Sequence, residues 1–258
     1  MLSVRNSLNC IGRNTSGSNS VLGDLFGFWR KRVPSTGTTT FSVSLKNTMD
    51  GLQGRHVHLN IIKVGFHNES NATDRDNAMR KIDFATMRTR QIFEQADLGV
   101  GRVGHYHIDQ ADADGYDNIG SSGEADDLSD DWGVDNDGID CFVPRTISAS
   151  GEDGFVGISP LDGDCSKGGK RDGLIAGAID RGGSVSGSFD RFARTFAHEI
   201  GHYMTLPHNH DDSCPSGSAR NNLMAQTRCI SISARDAVTL TSGQGSDMRG
   251  HCTTKSGC

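Results

Sequence analysis

The sequence predicts an α+β protein: five strands and two long helices, followed by a loop-rich end that carries most of the cysteines. Three observations predict it. Apolar residues alternate over Arg55 to Phe66, Arg102 to Asp109 and Ile139 to Arg145, the period of a strand. They recur at three and four residues over Asp74 to Leu98 and again from Phe189 to Ile200, the period of a helix. Glycine makes up 33 of the 258 residues, well above the usual share of about 7%, and the cysteines from Cys165 onward lie among polar, irregular stretches.

In the first strand, Val57, Leu59 and Ile61 share one face, then Ile62, Val64 and Phe66 the other. Such a change of phase implies a bulge or burial on both faces. Over Asp74 to Leu98, Ala78, Ile82, Ala85, Thr89, Ile92 and Ala96 form one apolar stripe, and Gly99 is the expected stop. The second strand, Arg102 to Asp109, carries His105 and His107, which could ligate a metal, although solvent-facing strand histidines are commoner. Asp109 to Asp140 is strongly acidic, with a short helix expected over Glu124 to Trp132. Asp112, Asp114 and Gly115, or Asp135, Asp137 and Gly138, match the start of a Ca²⁺ loop, but neither reaches a glutamate at its twelfth position. A hydrated acidic loop is the better reading.

Ile139 to Arg145 is the third strand, Gly154 to Ser159 the fourth and Leu174 to Ile179 the fifth. The last leads through Gly182 and Gly183 into a helix with Ser188 at the N-cap, Asp190 in the first turn, and Phe189, Phe192, Phe196 and Ile200 on its apolar face. A closing helix is expected over residues 241 to 251.

The second long helix carries the chemistry. His198 and His202 are four apart, so both rings lie on one face, one turn apart. Neutral imidazoles suit Zn²⁺, and a catalytic zinc site keeps three protein ligands and leaves a fourth position to water. His208 would be the third ligand, with His210 in reserve, and Glu199 the base that takes a proton from that water. One large class of such enzymes uses a distant glutamate as third ligand; no glutamate follows Glu199, which removes that class.

The pattern resembles the metzincin zinc metalloproteases, H-E-x-x-H-x-x-G-x-x-H followed by a methionine turn. His198, Glu199, His202 and His208 fall on the matching positions, Asn221-Asn222-Leu223-Met224 resembles the Met-turn, and Leu240 to Gln244 resembles the start of the last helix. The resemblance implies a twisted mixed five-stranded sheet with two helices above a disulfide-bonded lower subdomain. One zinc ion would lie between them with Met224 packed beneath it, and internal peptide bonds would be hydrolysed. The fourth strand would be the exposed edge on which an extended peptide adds; alternatively the loop from Asp162 to Lys170 covers it.

Two positions depart from the family. Its glycine is Thr205 here, so either Thr205 keeps a negative φ in a differently built turn, or the third ligand is less sure. Several metzincins have a tyrosine two residues after the methionine; this chain has Gln226. A zinc hydrolase of a non-peptide amide and a non-catalytic zinc-containing binding module are the alternative functions.

A net charge of −6 without a basic cluster argues against nucleic acid, and no apolar run is long enough to span a membrane. Residues 1–37 read as a flexible tail or pro-segment ahead of a catalytic domain over 38–258, divided near 205 and 206 into upper and lower subdomains. Arg30-Lys31-Arg32 is a candidate processing site and Cys10 a candidate latency ligand, a spare cysteine being the plainer reading. The cysteines form no C-x-x-C pair and suit disulfides, among which Cys214 with Cys229 would fix the Met-turn. With Asn14, Asn68 and Asn71 in glycosylation triplets, they suggest a secreted protein, although no signal peptide is evident, and a monomer acting on protein or peptide substrates.

Overall fold

The centre of the protein is a strand buried on both sides. In the computed structural model, which describes residues 31–32, 54–66, 71–149, 156–167, 172–180, 189–210, 213–230 and 232–256, β2 (Arg55–Val64) is buried at every residue after Arg55. Val57, Leu59 and Ile61 face one apolar cluster, and Ile62 and Val64 a second. Burial on both faces accounts for the change of phase at Ile61 and Ile62; the one irregularity in the β2–β3 register lies upstream, between Val57 and Leu59.

In chain order the described elements are β1 (Lys31–Arg32), β2, α1 (Ala72–Phe93), β3 (Leu98–Ile108), β4 (Asn118–Ile119), α2 (Ser122–Asp131), β5 (Trp132–Gly133), β6 (Ile139–Pro144), β7 (Thr146–Ile147), β8 (Gly173–Ile175), α3 (Phe189–Tyr203), α4 (Ser242–Gly250) and β9 (Lys255–Ser256). The main sheet runs β3-β2-β6-β8, all parallel, with β9 antiparallel to the start of β2. Helices α1 and α3 pack together on the face of Leu59 and Ile61, and α2 lies on the other face with Leu128 and Trp132. Between α1 and α3, the fully buried Lys81 donates to the Ile179 carbonyl at 2.9 Å and lies 5.7 Å from the centroid of the Phe192 ring.

Several boundaries differ from expectation. Asn71, of the third glycosylation triplet, is the N-cap of α1, accepting from the Thr73 and Asp74 amides. The helix ends at Phe93 and a short 3₁₀ turn follows; Asp97, at φ 49°, reverses the chain, so Leu98 and Gly99 belong to β3 rather than to a helix stop. Of the expected fourth strand, Gly154 and Phe155 lie outside the described residues, and the rest makes a single antiparallel bridge, Ile158 to Ile175, before Pro160 removes a donor. The fifth member of the sheet is β9, at the end of the chain. The loop through Asp162 and Gly163 donates its amides to the His202 and Tyr203 carbonyls at the end of α3. Among the described residues neither acidic stretch gathers its carboxylates into a metal-holding group; Asp114 and Gly115 form a turn at positive φ, and Asp137 accepts from Arg102 at 2.7 Å.

Disulfides join Cys165 to Cys252 and Cys214 to Cys229, the second as expected, while Cys141 is a buried thiol in β6. Cys10, Arg30, Asn14, Asn68 and Ser188 lie outside the described residues. Lys31 and Arg32 pair in parallel with Trp132 and Gly133, so this part of the N-terminal segment touches the domain. Among the described residues no helix is long and apolar enough to cross a membrane.

His58, on β2, accepts the Arg102 amide at 3.0 Å through Nδ1 and lies near Asp137, His56 and Lys255. Burial, aided by Arg102, lowers its pKa to about 4, against an ordinary 6.5. A depressed base adds stability that is complete above its unfolded pKa and is lost as pH falls through its folded one. We therefore expect pH-dependent unfolding to show a loss on the order of 3 kcal/mol between pH 6.5 and 4, and His58→Asn, which keeps an acceptor for Arg102, to flatten that slope.

Candidate metal centre

The C-terminal end of α3 is built to turn its chain back on itself. The Leu206 amide donates to the Gly201 carbonyl and the Thr205 amide to the His202 carbonyl, both at 2.9 Å, the paired bonds of a Schellman ending. That ending puts one residue in the left-handed region, and here it is Thr205, at φ 72°. Neither expectation for Thr205 is met: φ is positive, and His208 still returns to the helix. Its ring centroid lies 4.6 Å from that of His202 and 5.4 Å from that of His198. One nitrogen from each of the three rings falls within 4.8 Å of the others. His210 is outside this group; its Nε2 accepts the Gln226 amide at 3.1 Å and its ring stacks on His208.

The outward nitrogens of the helical pair are committed. His198 Nδ1 donates to the Leu223 carbonyl and His202 Nδ1 to the Leu206 carbonyl, each at 2.7 Å. A carbonyl only accepts, so both rings carry their proton on Nδ1 and present a lone pair at Nε2. The Nε2 atoms of His202 and His208 face each other at 3.2 Å. Two nitrogens bound tetrahedrally to one zinc ion stand about 3.3 Å apart. Burial lowers the pKa of all three rings, that of His202 to about 4, each with help from a neighbouring histidine, so all are neutral at pH 7. Three neutral imidazole nitrogens, with no fourth side-chain ligand grouped with them among the described residues, fit a zinc site with an open position.

Glu199 is buried, and burial raises its pKa to about 8 against the pull of Arg194. The backbone comes close to it at Gly157, where a Cβ would lie 2.8 Å from Glu199 Cγ. Met224 is fully buried, with its sulfur 2.8 Å from where a Cβ of Gly201 would stand, directly against α3 between the two histidines. The Met224 amide is held by the Asn222 side chain, which exchanges hydrogen bonds with Gln244 in the capping box of α4. Gln226, where the family has tyrosine, lies 3.4 Å from His208 Nδ1 and accepts from Arg228.

His105 and His107 sit on β3 in no common group with the triad, and the sulfurs of the Cys165, His251 and Cys252 cluster are tied to each other in a disulfide. Arg194 also serves the site, though it belongs to no motif in the sequence. This buried residue donates to the carbonyls of Asn222, Leu223, Ala225 and Ala237. Its signal was a charged residue between Phe192 and Phe196, on the buried side of an amphipathic helix.

No family model and no curated protein matches the chain. Among solved structures, it is similar to archaemetzincin from Methanopyrus kandleri, with a TM-score of 0.46 and 12% identity over 75% of this chain and 95% of that one. A likeness this loose decides nothing about chemistry, which rests on the three rings.

A non-glycine residue in the left-handed region costs roughly 1–2 kcal/mol. Thr205→Gly should therefore stabilise the protein by about 1 kcal/mol after the greater unfolded-chain entropy of glycine is subtracted. In thermal melts that is a rise of about 2–4 °C.

Proposed function

We propose that the chain is a zinc-dependent endopeptidase, with His198, His202 and His208 as ligands, Glu199 as general base and Met224 as the packed floor of the site. One observation carries this reading: the hydrogen bonds from Nδ1 of His198 and His202 leave both Nε2 lone pairs aimed at the place His208 also reaches. A structural zinc site would recruit a fourth protein ligand and has no use for a buried carboxylate next to the first histidine.

When bound, zinc supplies Lewis acidity, polarising a carbonyl oxygen and lowering the pKa of water to about 7. The chain supplies the rest. In its ionised form, which the pull of Arg194 favours against burial, Glu199 takes the proton from the attacking water and returns it to the amine nitrogen as the C–N bond breaks. Ile158 exchanges both of its backbone hydrogen bonds with Ile175. By the alternation of an extended chain, Gly157 and Ser159 then direct their backbone groups to the opposite side. Gly157 lies against Glu199, so a peptide strand added there would pass beside the base.

We assign the catalytic unit to residues 38–258, with 1–37 as a tail or pro-segment whose Lys31–Arg32 reaches β5. The two disulfides favour an oxidising, extracellular setting.

Glu199→Gln should retain one zinc per chain by elemental analysis and lose casein hydrolysis by about 10²–10⁴-fold; unchanged turnover would remove Glu199 as the base. His208→Ala should weaken zinc binding, measured by chelator competition, far more than His210→Ala. The reverse order would reassign the third ligand.

A further inference from the structure

Arg194 lies one helical turn before His198, and only 2% of it is exposed. Burying a guanidinium is costly unless its donors are satisfied, and here backbone carbonyls accept from Nε and Nη2. Nε donates to Ala237 at 2.8 Å, and Nη2 to Leu223 at 2.9 Å, to Asn222 at 3.3 Å and to Ala225. Two of these carbonyls belong to the Met-turn, that of Ala225 follows it directly, and the fourth comes from the segment leading to α4.

The Leu223 carbonyl is the shared element. It accepts Arg194 and, at 2.7 Å, His198 Nδ1. A carbonyl oxygen has two lone pairs, and the two donors occupy both. We propose that Arg194 is a positioning residue for the metal centre: by pinning the Leu223 carbonyl it holds His198 in the Nδ1–H tautomer and keeps the Met-turn against α3. This rests on the reading of His198, His202 and His208 as zinc ligands. The planar fork reaches several acceptors at once, whereas a lysine at this position would be a single point donor.

The test compares wild type, Arg194→Lys and Arg194→Met in the full chain. Three measurements are made: folding by circular dichroism, zinc affinity by chelator competition, and the His198 tautomer of the metal-free protein by imidazole ¹⁵N shifts. Loss of an outer-shell partner of this kind typically costs 10–100-fold in metal affinity. Folded Arg194→Met is expected to lose that much, with His198 shifting from pure Nδ1–H to a mixture of tautomers, and Arg194→Lys to fall between it and wild type. A drop in melting temperature alone, with zinc affinity and tautomer as in wild type, overturns the proposal. If Arg194→Met does not fold, Arg194→Lys decides by the same two readouts. Wild type that binds no zinc would refute the metal centre itself, while the tautomer comparison would still judge the link from Arg194 to His198.

Discussion

The site depends on two hydrogen bonds, each from an imidazole Nδ1 to a backbone carbonyl. A neutral histidine has one proton and two nitrogens, and only a fixed acceptor decides which nitrogen keeps the lone pair. The acceptor for His202 is the carbonyl of Leu206, in the turn that ends α3; the acceptor for His198 is that of Leu223, in the loop that carries Met224. The two loops that follow the helix thus aim its two histidines. The same turn that supplies the Leu206 carbonyl also sends the chain back so that His208 arrives.

Behind these bonds stands the packing of α3. Its apolar side meets α1 and the sheet, so the helix cannot rotate without opening the main core. Gly201 leaves room for the Met224 sulfur to press against the helix backbone, and Asn222, held by Gln244, fixes the loop that carries Met224. The site is therefore rigid on the helix side, and its loop side is held by side-chain amides and the Cys214–Cys229 disulfide.

Much of this was legible in the sequence, because it follows from local spacing. The i, i+4 pair His198 and His202, the apolar stripe of α1 and the doubly buried β2 each follow from a period, and the start of α4 near Thr241 from the resemblance. What was not legible depended on contacts between distant residues. Nothing near Gly154 to Ser159 says that, of its described residues, only Ile158 will pair, or that Lys255 and Ser256 will complete the sheet beside β2. Gly99 looked like a helix stop because glycine commonly is one; Asp97 stops the helix instead, since a short polar side chain tolerates the left-handed region. Thr205 is the sharpest case: intrinsic preference argues against its conformation, and the Schellman bonds impose it.

The bridge between Cys165 and Cys252 closes a span of 87 residues that contains the whole of α3 and the Met-turn. A cross-link over that length removes on the order of 4–5 kcal/mol of chain entropy from the unfolded ensemble. It also anchors the tail from which β9 reaches β2. The durability of this fold is thus set partly by the redox poise of its surroundings: where thiols stay reduced, the same amino acids would make a chain whose β9 reaches β2 without that covalent anchor.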